Sequence, residues 1–279
     1  MNESSRKFDL LKDACALRDR IGSVLHQYHQ GTRIFHGDVI RNSGASAVLF
    51  LLGSQCECLS EPCLILNKRS AMVRQPGDLC CPGGSISPRL DAVLSRLLFL
   101  PGSALARWPY KGQWRKQRRQ DLLVMAHMLA AALRESYEEM RLNPLKVIFL
   151  GALPLQKLEM FQRHIYPMAC WLPLPKRFKL NWEVERLIYI PLRELLQPSN
   201  YVRYRLQSKH PMPTWENKTQ KDFPCFLFKH RNGSEMLWGA TFRISMAFLE
   251  LVFGFTPPNL ESLPVVRGRL TENYLARGK

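Results

Sequence analysis

Several absences narrow this 279-residue chain before any motif is read. No apolar run approaches the roughly 18 residues that a membrane-spanning helix needs. Met1–Ile21 has no apolar core of the kind a signal peptide carries. No internal repeat or low-complexity tract is visible, which sets aside the repeat architectures. The eight cysteines are not spaced like a secreted disulfide scaffold, so the chain reads as a reduced cytoplasmic protein. Cys56, Cys58, Cys63 and the Cys80-Cys81 pair suit zinc poorly, and they read as thiols filling strands. Acid is also scarce, with 23 Asp and Glu against 40 Lys and Arg and a formal charge of +17. Such a surface implies an acidic partner: a phosphorylated metabolite, nucleic acid or an anionic membrane surface.

Against that background the stretch A-A-L-R-E-S-Y-E-E-M-R-L at 131–142 stands out. Glu135, Glu138 and Glu139 lie at i, i+3 and i+4, spacings that meet on one side of a helix. On a helical projection Leu122, Ala126, Leu129, Tyr137 and Met140 fall within about 40° of Leu133, with the glutamates opposite. The spacing therefore predicts a helix with an apolar stripe and an acidic face. Clustered carboxylates raise one another's pKa unless a cation sits among them. An oxygen-only donor set of that density suits Mg²⁺ or Mn²⁺. A solvated helix face is the plainer alternative. Two features weigh against it: Arg134, whose guanidinium can orient a carboxylate, and the upstream Pro82-Gly83-Gly84 turn, whose backbone can approach a metal or phosphate closely.

Arg134, Glu135, Glu138, Glu139 and Leu142 after a Pro-Gly-Gly turn resemble the Nudix box, G-x5-E-x7-R-E-U-x-E-E-x-G-U, with U a bulky apolar residue. The chain departs from it at Ser136, where the box has U, and at Arg141, where it has its closing glycine. The stretch from Gly84 to Arg134 is several times longer than the pattern's, so an insertion splits the box. The leading acid would fall on Ala126, leaving Asp91 or Asp121 as its replacement. Upstream, L-I-L-N-K-R-S-A-M-V-R-Q-P-G-D-L-C-C-P-G-G at 64–84 is similar to the segment preceding the box in the coenzyme A diphosphatases of that superfamily. Arg69, Ser70, Arg74, Gly77, Pro82, Gly83 and Gly84 align, although Arg74 and Gly77 stand one residue closer than the pattern asks.

The insertion, at about 91–121, contains L-S-R-L-L-F-L-P-G, a helix stopped at Pro101-Gly102. Next comes the basic aromatic run A-R-W-P-Y-K-G-Q-W-R-K-Q-R-R. Trp108, Tyr110 and Trp114 either dock on the body among a solvated basic face or stack on a polyanion. A clamp over the distal part of the substrate, through Arg115, Lys116, Arg118 and Arg119, is the slightly favoured reading. Elsewhere Phe8–His26 reads as an amphipathic helix. Ala45–Leu52 with Cys63–Leu66 reads as a hairpin. Lys146–Leu153, Ile165–Leu172, Arg186–Ile190, Tyr201–Leu206 and Phe223–Phe228 read as strands, Pro191–Leu196 as a short helix and Phe242–Phe253 as an apolar helix.

The resemblance implies an α+β Nudix fold: a mixed sheet between helices, with an N-terminal helix and a helical insertion in the box. The expected divisions are an N-terminal helical extension at 1–40, the Nudix domain at 41–255 and a weakly structured basic tail at 256–279. The implied reaction is metal-dependent hydrolysis of a nucleoside diphosphate linked to another group, coenzyme A or an acyl derivative foremost. Glu135, Glu138, Glu139 and Gly84 would hold Mg²⁺ or Mn²⁺, with Glu135 and Arg134 catalytic and Arg69, Ser70, Arg74 and Gly83 on the substrate. A further acid is expected from Glu159, Glu183 or Glu185. Two alternatives stay open. One is a catalytically weak module binding nucleic acid or protein. The other is a hydrolase of dinucleotides, ADP-ribose or capped RNA.

Overall fold

The run A-S-A-V-L-F-L-L at 45–52 is apolar on both of its alternating faces, a pattern that belongs in the middle of a covered sheet. The structure, a computed structural model, places it there. It describes residues 8–30, 35, 39–41, 44–56, 59–158, 163–173, 178–212, 215–216, 218–231, 233–270 and 274.

Helix α1 (Ala14–Tyr28) comes first, its N-terminus capped by Asp13, whose carboxylate accepts from the Cys15 and Ala16 amides. The hairpin β1 (Ala45–Cys56) and β2 (Leu59–Arg69) follows, then the short strands β3 (Leu79–Cys80) and β4 (Gly83–Ser85). Three helices come next: α2 (Pro88–Leu97), α3 (Lys111–Gln117) and α4 (Arg119–Met140). After them run β5 (Ile148–Ala152), β6 (Gln156–Leu158), β7 (Arg163–Leu172), β8 (Val184–Pro191) and the single-turn helix α5 (Leu192–Leu195). Strands β9 (Tyr201–Met212), β10 (Lys218–His230) and β11 (Gly233–Leu237) lead into α6 (Gly239–Phe253) and a last strand, β12 (Val265–Arg269).

The first sheet runs β3-β2-β1-β7-β5, with β8 on β2, β4 on β1 and β6 on β7. It is mixed, since β1 and β7 are parallel while β1 and β2 are antiparallel. Side-chain alternation splits β1 between two cores. Ala47, Leu49 and Leu51 pack towards α4 with Ile65 and Phe149, whereas Val48, Phe50 and Leu52 pack towards α1 and α6 with Leu17, Ile21 and Phe248. The architecture is thus the expected α+β arrangement of a mixed sheet between helices. A second sheet, β11-β10-β9-β12, carries its own small core around Tyr204, Trp215 and Cys225.

Three local expectations change. Residues 265–269, expected in a weakly structured tail, form β12 and pair in parallel with β9. The helix α2 starts at Pro88, ahead of the expected helical run, because Ser87-Pro88 supplies an N-terminal stop with proline in the first turn. Tyr137 leaves the apolar stripe. It is exposed under the Arg141 guanidinium, 4.9 Å from its ring centroid.

Candidate active site

Helix α4 reaches the site at its C-terminal end. It is buried on nearly all sides in its middle, through Met125, Met128, Leu129, Ala131 and Leu133, so the glutamates of its last two turns are positioned by a rod fixed in the core. The helix ends at Arg141, which takes left-handed backbone angles (φ 54°, ψ 35°) at the box's glycine position. Its amide donates back to the Tyr137 carbonyl at 2.9 Å, so the terminus closes despite the missing glycine.

Arg134 ties this helix to the glycine turn. Its Nε and Nη2 bind Asp91 in bidentate fashion at 2.8 and 3.1 Å. Nη1 reaches Glu135 Oε1 at 2.9 Å and Glu138 Oε1 at 3.3 Å, and Nη2 also donates to the Ser85 carbonyl at 2.9 Å. Asp91 is fully buried and also accepts from the Ser87 amide at 2.7 Å. Of the two candidate acids, Asp91 is the one that meets Arg134. Asp121 sits about 20 Å along α4 from Arg134 at 1.5 Å per residue, where it pairs with Arg118. Arg134, expected to be catalytic, is committed to positioning, since its donors are taken by carboxylates and a carbonyl.

Glu139 is the most enclosed of the three glutamates. Its Oε2 accepts from Asn67 Nδ2 at 2.9 Å and from the Gly83 amide at 3.0 Å. Burial pushes its carboxyl up to about 8; the negative charges of Glu135 and Glu183 add to this, while the Gly83 amide opposes it. Burial likewise raises the Glu135 carboxyl, held down in part by Arg134 and raised further by Glu138 and Glu183. Glu183 is thus the acid from the later loops that lies within electrostatic reach. That loop is anchored by the Asn181 amide on the Glu139 carbonyl at 2.8 Å. Glu185 instead lies near Arg186, and Glu159 falls outside the described residues.

The glycines have separate duties. A Cβ on Gly84 would stand 2.6 Å from Glu135 Oε2, so the missing side chain is what lets the carboxylate lie on the turn. A Cβ on Gly83 would meet the Ala47 carbonyl at 2.5 Å and Val48 Cα at 2.6 Å, at φ +137°. Gly83 is therefore packed on β1 with its amide given to Glu139, and it lines the cleft described below. Ser70 accepts from the Met72 amide at 3.2 Å and does not line the cleft described below. Arg69 and Arg74 do line it, with Arg69 Nε donating to the Arg74 carbonyl at 2.7 Å.

Residue chemistry fits a hard divalent cation. The donors are all oxygen, burial and then neighbouring negative charge raise the Glu135 and Glu139 carboxyls, and Asn67 Oδ1, beside Glu139, is a buried acceptor with no partner among the described residues. Among the described residues no three ligand-type side chains already converge on one point, because Arg134 stands between Glu135 and Glu138. Asn67 was missed in the sequence reading. Its signal is an amide-bearing residue closing the apolar run L-I-L of a central strand, where a polar group needs partners.

The insertion differs from the clamp expected of it. Trp108 and Trp114 are buried in the core beneath α4, and Trp114 Nε1 donates to His26 Nδ1 at 3.0 Å. Tyr110 stacks on His26 at 4.0 Å. Arg118 binds the His29 carbonyl and Asp121 and lies over Trp114. Only the end at Asp91 touches the site. The other end, at Arg119, is about 24 Å from Glu135 along the helix.

A cleft of about 810 Å³ opens from the glycine turn to the second sheet. Its lining includes Arg69, Arg74, Arg163, Lys221 and Arg243, with Asp78 as its acid.

No family model and no curated protein matches the chain. Among solved structures it is similar to an Ap4A hydrolase of C. elegans (13% identity, 55% of this chain and 82% of that one, TM-score 0.33). It is also similar to the Nudix domain of Shewanella oneidensis NrtR complexed with ADP-ribose (12%, 62% and 86%, TM-score 0.33). A third is a Nudix hydrolase from Nitrosomonas europaea (11%, 80% and 79%, TM-score 0.35). Values of this size leave the chemistry to be argued from the residues of the site.

Proposed function

We propose that this chain is a metal-dependent Nudix-type hydrolase that cleaves the diphosphate of a nucleoside diphosphate linked to a second group. Coenzyme A or an acyl derivative is the preferred substrate. One observation carries the reaction class: Arg134 joins Asp91, Glu135, Glu138 and the Ser85 carbonyl, so the acid cluster and the glycine turn are held as one unit beside a cation-lined cleft.

Glu135, Glu138, Glu139 and the Gly84 carbonyl would hold Mg²⁺ or Mn²⁺. Once bound, the ion would neutralise the diphosphate and acidify a water molecule. Glu135 Oε1 is fixed by Arg134, which leaves Oε2, lying on the glycine turn, to accept the proton of the attacking water. Asn67 and the Gly83 amide hold Glu139 in place. Arg69 and Arg74 bind the anionic substrate, and their alignment with the coenzyme A diphosphatase segment supports that substrate. The nucleic-acid reading loses support because Trp108 and Trp114 of the basic run are buried in the core and Tyr110 is stacked on His26.

The test is a panel of coenzyme A, acyl-coenzyme A, ADP-ribose, dinucleotides and capped RNA with Mg²⁺ or Mn²⁺, products being identified by mass. Coenzyme A should yield a phosphopantetheine product and adenosine 3′,5′-bisphosphate, and Glu138→Gln should abolish turnover. Failure to cleave any member, or near-wild-type turnover by Glu138→Gln at saturating metal, overturns the proposal.

A further inference from the structure

The glycine turn, on which Glu135 and Glu139 lie, lines one end of the large cleft, and the other end takes no part in the chemistry above. Strand register measures the separation. Ser85 in the glycine turn pairs with Ser46 on β1, and Ser46 pairs with Ile165 on β7. Two strand spacings of about 4.8 Å put Ile165 about 10 Å from Ser85. Arg163 is two residues along β7 from Ile165, hence on the same face, and both line the cleft. Arg243 of α6 lines it too, and its Nη2 donates to the Lys157 carbonyl of β6 at 2.7 Å. The next residue of β6, Leu158, pairs with Arg163. Two guanidinium-bearing residues from different elements therefore line this part of the cleft, both beside β6.

Aromatic residues share the lining. Phe223 and Trp238 pack edge to face at 5.5 Å, and Lys221 lies 5.8 Å over the Phe223 ring. Trp215, packed on Phe223, is buried, yet its indole N–H has no acceptor among the described residues. Buried donors are normally paired. The acid in the lining, Asp78, is already engaged by Trp238 Nε1 at 3.1 Å and by the Tyr274 hydroxyl. Burial also raises its carboxyl pKa. The far end thus offers positive charge and ring faces, and the cleft has the volume of a whole nucleotide-sized ligand.

The geometry points to a second anion subsite, built from Arg163 and Arg243, that holds a phosphate the substrate carries beyond its scissile diphosphate, with the substrate's ring lying against Phe223 and Trp238. This rests on the hydrolase reading and narrows it to substrates bearing that additional phosphate. A lone diphosphate reaches only the glycine turn and gains nothing from the far end.

The experiment compares compounds differing in that one group: coenzyme A with 3′-dephospho-coenzyme A, and NADPH with NADH. In a pair that the wild type cleaves, the phosphorylated member should have a kcat/KM higher by about tenfold or more, expressed in KM, since charge-assisted bonds of this kind are among the stronger ones. The preference should shrink as salt rises. Arg163→Ser with Arg243→Ser should bring the ratio close to one. Arg163→Ser alone should lower it part-way, and Arg163 is exposed, its side chain making no hydrogen bond or ion pair among the described residues. Equilibrium binding of the same pairs without added metal separates the two claims. Discrimination in binding with no hydrolysis refutes the hydrolase reading and keeps the subsite. Hydrolysis of both members of each pair at equal KM, or a preference that survives the double substitution, overturns the subsite.

Discussion

Replacing Glu139 with glutamine isolates the electrostatic cost of an acid cluster without its cation. The amide keeps an oxygen able to accept both Asn67 Nδ2 and the Gly83 amide, the two bonds now made by Oε2. What disappears is the charge. Burial lifts this carboxyl from 4.5 to about 8. At 1.36 kcal/mol per pKa unit, the metal-free wild type then carries a penalty of at most about 2 kcal/mol at pH 6 and about 5 kcal/mol at pH 9. The sign follows from the raised pKa: folding favours the protonated form, so its contribution is complete below 4.5 and is lost as pH rises through about 8. Urea denaturation in EDTA at pH 6 and pH 9 measures the difference. Glu139→Gln should be the more stable protein at both, with the gap widening by at least about 1 kcal/mol at pH 9. Saturating Mg²⁺ should stabilise the wild type more than the variant and reveal the variant as inactive. A variant less stable than wild type at pH 9, or a gap independent of pH, refutes the reasoning.

The two glycines should respond differently to alanine. Gly84→Ala displaces the Glu135 carboxylate, so turnover should fall at least about 100-fold, in the range of a lost positioned proton acceptor, with the melting temperature nearly kept. Gly83→Ala drives a Cβ into the β1 backbone at φ +137°, and should destabilise by about 3 kcal/mol or more in a denaturant titration. Arg141→Gly relieves a left-handed arginine and forfeits its contact with Tyr137. The net gain should be about 0.5–1 kcal/mol in the same assay, and a loss would show that the ring contact dominates. On the insertion, Arg115→Ser, Lys116→Ser and Arg119→Ser together should leave KM unchanged at low and high salt. Arg118→Ser should instead lower the melting temperature, because it removes the bonds to His29 and Asp121.

Much of this molecule was legible in order along the chain. Helical spacing delivers α4 and its acidic end because residues three and four apart on one helix are neighbours whatever surrounds them. The doubly apolar run at 45–52 likewise marks a central strand, since period-two alternation dictates that both faces need cover. Arg134, Glu135, Glu138 and Glu139 belong to this local class, as does the close backbone approach at Gly84.

Contacts between residues distant in sequence were decided only by the tertiary structure. Asp91 and Asp121 are equally plausible acids on paper; one lies against Arg134 and the other about 20 Å away because α2 folds back on the C-terminal half of α4. Asn67 holds Glu139 across 72 positions of chain, a juxtaposition that no periodicity encodes. The basic aromatic run reads equally well as a clamp or as an anchor, and packing chooses the anchor: Trp108 and Trp114 lose more water contact inside the core than in a mobile flap. Strand pairing between β9 and β12 gives the last basic stretch an order that its composition does not suggest. Long-range packing likewise brings Phe223, Trp238, Arg163 and Arg243, from separate elements, to one cleft. Local rules set the elements and the acid cluster, while long-range packing set which groups face them.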